Sequence, residues 1–155
     1  MTTFHILALT LCLSVTAQAM TETQKIALTI CLESSTQGWT GRELVASSIF
    51  NRAESITAES LVAVCLKPKA YSCWNNRKPS IHLVREICVT KRGRMMWESA
   101  MNTAGEMARG TYKPVISAQF YITKKLYYSA RRPVWTNGLN VVCQYKDHVF
   151  LKEGE

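Results

Sequence analysis

The sequence predicts an α+β fold, mostly helical, forming one domain with a small β-hairpin at its end. Three observations predict it. Apolar residues recur at helical spacing, between capping residues, from Thr21 to about Gly110. Aromatic and β-branched strand-like segments are confined to the stretch after Tyr112. No Pro-, Gly- or Ser-rich linker and no internal repeat divides the 155 residues, a length that suits a single core.

Residues 1–19 contain no Lys, Arg, Asp or Glu, and a largely apolar run from Phe4 to Val15 leads into Ala17-Gln18-Ala19, an A-x-A cleavage pattern. The expectation is a signal peptide, or a releasable signal-anchor of the kind some phage lysis enzymes use, ahead of a working domain over residues 20–155. Only His5 stands in for the usual basic start. Thr10, Cys12, Ser14 and Thr16 interrupt the apolar run too often for a stable membrane span. Export to the periplasm, the wall or the exterior follows from this reading.

Thr21 and Gln24 have the spacing of a capping box, which starts a helix near Glu22 and sets Ile26, Ile30 and Glu33 on one face at i, i+4 and i+7. Thr40 and Glu43 repeat the capping spacing, so a second helix is expected from Thr40, with Val45, Ala46, Ile49 and Phe50 inward and Asn51-Arg52 closing it. After a turn over residues 53–57, a short helix carries Leu61, Val62, Val64 and Cys65 and stops before Pro68. Another spans Ser80 to Val89, with Ile81, Val84, Ile87 and Cys88 inward and His82 on the surface. Lys91-Arg92-Gly93-Arg94 reads as a solvated basic run. The longest helix comes next, with a stripe of Met96, Trp97, Ala100, Met101, Ala104, Met107 and Ala108, and Gly110 as its stop. Gln119 to Thr123 reads as a strand, and Val141–Tyr145 faces His148–Leu151 across a Lys-Asp turn as a terminal hairpin.

Glu33 is the one carboxylate delivered by an apolar stripe. A carboxyl held against apolar surface is favoured in its protonated form, which is what a general acid requires, whereas an ordinary helix-end Glu is a solvated surface residue. Further along, Tyr71, Ser72, Trp74, Asn75 and Asn76 combine aromatic faces with short polar groups, the mixture that stacks on sugar rings and hydrogen-bonds their hydroxyls; Tyr71 and Trp74 are equally readable as core anchors. Arg131, Arg132, Pro133 and Trp135 form a loop able to line a cleft. His148 faces either that cleft or a structural partner.

These residues carry a resemblance. Glu33 with Gly41 eight residues on, Asn51-Arg52, Tyr71-Ser72-Cys73-Trp74, Pro133-Val134-Trp135 and Asp147-His148-Val149-Phe150 resemble, in order, the motifs of the SleB-like cell wall hydrolases. The resemblance implies a lysozyme-like fold with a substrate groove and Glu33 as the catalytic acid. It also implies substrate-binding roles for Tyr71, Ser72, Trp74, Asn75, Tyr121, Trp135 and His148. The implied partners are peptidoglycan glycan strands acted on by a monomer, with no nucleic acid, no cofactor and no metal. Two positions depart from the pattern: Gln37 stands where a second acid is common and Phe120 where a His is frequent, so neither can titrate.

The formal charge of +8, from 19 basic and 11 acidic residues, suits an anionic polymer, and an exported start favours wall material over nucleic acid. Cys31, Cys65, Cys73, Cys88 and Cys143 remain after cleavage, which allows at most two internal disulfides; Cys65 and Cys73 could close a small loop or stay as buried thiols. Several activities remain open. One is cleavage of the MurNAc-GlcNAc strand, as a lytic transglycosylase leaving 1,6-anhydro-MurNAc ends or as a hydrolytic muramidase. Another is N-acetylmuramoyl-L-alanine amidase action, for which His82 and His148 are a poor zinc set. The last is a non-catalytic secreted basic binding protein or inhibitor. A single well-placed acid with no obvious second carboxylate favours the transglycosylase.

Overall fold

The computed structural model describes residues 19–56 and 59–154, so the proposed export segment, apart from Ala19, lies outside the described residues. The order is α1 (Glu22–Glu33), α2 (Gly38–Ile56), α3 (Leu61–Leu66), α4 (Ile81–Ile87), α5 (Lys91–Ala108), β1 (Phe120–Thr123), α6 (Lys124–Tyr127), β2 (Leu139–Tyr145) and β3 (His148–Glu153), with short 3₁₀ turns at Ser72–Trp74 and Val134–Thr136. The α+β expectation holds, and helix dominates it.

The predicted capping box is present: the Gln24 N–H donates to Thr21 Oγ1 at 3.2 Å and the Thr21 N–H to Gln24 Oε1 at 2.9 Å. The helix it opens is more than an amphipathic stripe. Ile26 through Cys31 are all buried, so α1 is enclosed on every side, with α2, α3 and α5 packed around it. Each Ile or Leu so buried contributes roughly 1.5–3 kcal/mol of transfer free energy. Glu33 thus ends a helix whose middle is buried on all faces.

Three helix boundaries differ from the expectation. α2 starts at Gly38, before Thr40, and runs past Asn51-Arg52 to Ile56. Its last turns are held by tertiary bonds that no capping pattern encodes. Asn51 Nδ2 donates to the Ile116 and Ala118 carbonyls at 2.7 and 2.9 Å. The basic run 91–94 is no loop but the first turn of α5, capped by Thr90 Oγ1, which accepts from the Gly93 N–H at 2.9 Å. Gly93 is required there because a Cβ would collide with the Ile87 carbonyl oxygen. At 18 residues α5 is one shorter than the 19-residue α2, which takes its place as the longest helix. In α4, capped by Ser80, only Val84 is buried, and Ile81 is exposed because α4 touches the body along a single edge.

The hairpin β2–β3 forms as expected, with Lys146-Asp147 as its two-residue turn and Lys146 at φ +43°. β1 adds to the other side of β3, giving a three-stranded antiparallel sheet in the order β1-β3-β2. β3 is therefore central and covered on both faces. Phe150 joins the helical core while Val149 and Leu151 pack with Ile122 and Tyr127. That double coverage is why His148 to Leu151 are buried without alternation. All five described cysteines are free thiols, so Cys65 and Cys73 form no bond and remain as buried small side chains.

Candidate active site

Glu33 is the last residue of α1, and its carboxylate is met by donors from two other elements. The Ser72–Trp74 turn supplies the Cys73 N–H at 2.7 Å and Ser72 Oγ at 3.1 Å, both to Oε1. β1 supplies the Tyr121 hydroxyl, 2.9 Å from Oε2. The apolar stripe delivers Glu33 to this place, but the apolar surroundings expected for its carboxyl are not found there: three hydrogen-bond donors meet it instead. The turn is itself pinned to α1: Trp74 Nε1 donates to Thr29 Oγ1 at 3.1 Å, and Arg77 Nε donates to the Cys73 carbonyl at 2.8 Å.

The groups around the carboxylate are fixed in their neutral forms. Burial, and next the charge of Glu33, push the Tyr121 hydroxyl well above its ordinary range, so it stays a donor. The same two causes raise the Cys73 thiol, which removes it as a nucleophile. Burial lowers His148, against the opposing pull of Glu33 and Asp147, leaving a neutral imidazole. His148 is only 8% exposed, its ring lies 5.0 Å from that of Tyr121, and its Nδ1 has no partner. It therefore backs Tyr121 from beneath and does not open onto the cleft. Gln37, at the position where a second acid is common, is 2% exposed, with Oε1 unpartnered.

Beside Tyr121 lies a cleft of about 350 Å³ lined by Arg52, Lys69, Ala70, Tyr71, Gln119, Phe120, Tyr121, Trp135, Leu139 and Glu153. Trp135 stands at its edge, 51% exposed and 6.0 Å from the Phe120 ring. Tyr71, at 4% exposure, is floor and not platform: Arg52 sits 6.0 Å from its ring centroid and 5.2 Å from that of Phe120. Of the residues singled out from sequence, Ser72 and Tyr121 meet at Glu33, and Tyr71, Tyr121 and Trp135 line the cleft. Trp74 and Asn75 border a different hollow.

Arg52 and Glu153 are additional cleft residues. Arg52 had a signal, a cation ending an apolar helical run; Glu153, at the end of a strand, had none. Among the described residues no group of three or more His, Cys, Asp or Glu is placed to hold a metal ion, and no helix is long and apolar enough to cross a membrane.

Fold and site together define a small cleft-bearing α+β domain with an anchored carboxylate beside an aromatic groove. The family model described as Cell Wall Hydrolase matches residues 36–151, and the chain belongs to that family. The match takes in Gly41, Asn51-Arg52, the 71–74 turn, Trp135 and His148, and begins three residues after Glu33. No curated protein and no solved structure matches the chain.

Proposed function

We propose that this cell wall hydrolase is exported and cleaves the glycan strand of peptidoglycan as a lytic transglycosylase with Glu33 as its single acid and base. The observation that carries the reading is the convergence of three donors from two elements on the Glu33 carboxylate. Glu33 protonates the oxygen that leaves C1 of the muramic acid as the glycosidic bond breaks. The carboxylate so formed, steadied by Cys73 N–H, Ser72 and Tyr121, then takes the proton of the sugar's C6 hydroxyl, whose oxygen closes onto C1. No water is consumed, and the product ends in a 1,6-anhydro ring. Trp135 and Phe120 offer stacking surface to sugar rings in the cleft.

One observation favours a second reading. Glu153 also lines the cleft that Tyr121 lines. A second carboxylate in the cleft could serve an inverting hydrolase as the base for water. Mass spectrometry of fragments released in ¹⁸O-water separates the two. Anhydro ends without label, together with lysis retained in Glu153→Gln, support the transglycosylase; labelled reducing ends and loss in Glu153→Gln would establish the hydrolase.

A further inference from the structure

Lys69 belongs to two recesses, the aromatic cleft and a second hollow of about 600 Å³ whose walls include Trp74, Asn75, Lys25, Arg77 and Lys78. That volume lies within the range, about 300–1,000 Å³, of sites that enclose a small ligand. Its electrostatics are one-sided. Four cations line it and no carboxylate does; Lys25, Lys69 and Lys78 make no ion pair among the described residues, whereas neighbouring Lys67 is matched by Glu59 at 3.4 Å. Like charges gathered without a counter-charge repel, and an anionic ligand relieves that repulsion. Lys69 moreover holds a left-handed backbone, φ +63°, an unfavourable conformation for a lysine.

The hollow is coupled to Glu33 through one residue. Cys73 gives its N–H to the Glu33 carboxylate and its carbonyl accepts from Arg77 Nε, so Arg77 in the hollow and the Glu33 carboxylate are held by the two backbone groups of one residue. Pro68, Pro79 and the Trp74 ring add apolar wall, which a phosphate or a bare sugar would not use. We propose that this hollow binds the carboxylate-bearing peptide branch carried by the muramic acid of the strand that Glu33 cleaves. The assignment rests on the glycan-strand reading above and names the feature of that substrate which the second recess selects. Anionic phosphodiester polymers of the wall are the competing source of negative charge.

The test compares KM and kcat on peptide-bearing strands and on strands stripped of peptide by a separate amidase, using wild type and the Lys25→Ala/Lys78→Ala double variant. The expected result is a KM roughly three- to tenfold lower for peptide-bearing strands in wild type, shrinking as salt is raised, with nearly equal KM values and unchanged kcat in the double variant. A wild type indifferent to the peptide, or a double variant that keeps the preference, overturns the proposal. So does a preference that follows removal of phosphodiester polymer instead of peptide. A wild type that cuts neither strand yet sediments only with the peptide-bearing one overturns the cleavage reading and leaves the peptide site standing.

Discussion

The hydroxyl of Tyr121 lies 2.9 Å from Oε2 of Glu33, a bond across 88 residues of sequence that joins the sheet to the end of the central helix. Every other feature of the site is arranged about that contact. The Ser72–Trp74 turn takes the opposite carboxylate oxygen, His148 and Phe150 back the tyrosine ring, and the cleft opens on its remaining side.

Glu33→Gln should abolish wall lysis with little change in folding. The amide keeps the shape and can still accept from Cys73 N–H, but it has no proton to give the leaving oxygen. Clearing of a wall suspension should fall by at least about 100-fold, while the thermal midpoint stays within a few degrees. Lysis within a fewfold of wild type would remove Glu33 from the reaction.

Tyr121→Phe removes one donor and leaves the ring packing intact. Turnover should drop about tenfold with KM unchanged, because a donor aimed at the carboxylate acts on the reacting group and not on the bound sugar. A rise in KM alone would place Tyr121 among substrate contacts instead.

Trp135→Ala and Tyr71→Ala should separate. Trp135 is half exposed at the cleft edge, so its loss should raise KM several-fold and barely shift the melting point. Tyr71 is buried beneath Arg52, so its truncation should cost about 3 kcal/mol of stability. Equal destabilisation by both would show that Trp135 is a packing residue.

Asn51→Ala orphans the Ile116 and Ala118 carbonyls and loosens the segment that leads into β1. A loss of about 2 kcal/mol is expected. Lysis should fall with it, since the same segment presents Tyr121, and should recover in part on cooling. Full activity in a destabilised variant would uncouple this anchor from the site.

His148 should make the fold acid-sensitive. Burial lowers its folded-state proton affinity below the ordinary value of 6.5, so the unfolded chain takes up the proton first as pH falls. The stability this residue contributes is complete above about pH 6.5 and is lost as the pH drops through the lowered folded value. Thermal midpoints between pH 7 and 5 should therefore decline more steeply in wild type than in His148→Gln. Parallel declines would mean that other groups govern acid unfolding.

Much of the fold is legible in the sequence where the signal is local. The capping box at Thr21 and Gln24, the hairpin turn at Lys146-Asp147 and the stop at Gly110 are all short-range chemistry, and each is where its residues say. The start of α2 is not legible, because Thr40 and Glu43 have capping spacing but lie inside a helix that Gly38 begins. Nor is the central position of β3, because pairing with β1 depends on a segment more than twenty residues away. In the site, Glu33, Ser72 and Tyr121 are individually readable as polar or aromatic residues in telling places. Their convergence is a tertiary fact, and so is the presence of Glu153 in the cleft.

The bonds to Glu33 span 39, 40 and 88 residues of chain, so no local fragment contains the site. The capping box that opens α1 is local chemistry, but the grip on its terminal carboxylate appears only after these long loops have closed, a step slowed by the entropy of bringing distant segments together. A partly folded chain therefore presents Glu33 as an ordinary solvated side chain. By this topology a cell wall hydrolase is harmless for as long as it is unfolded, and cutting ability arrives together with the completed fold.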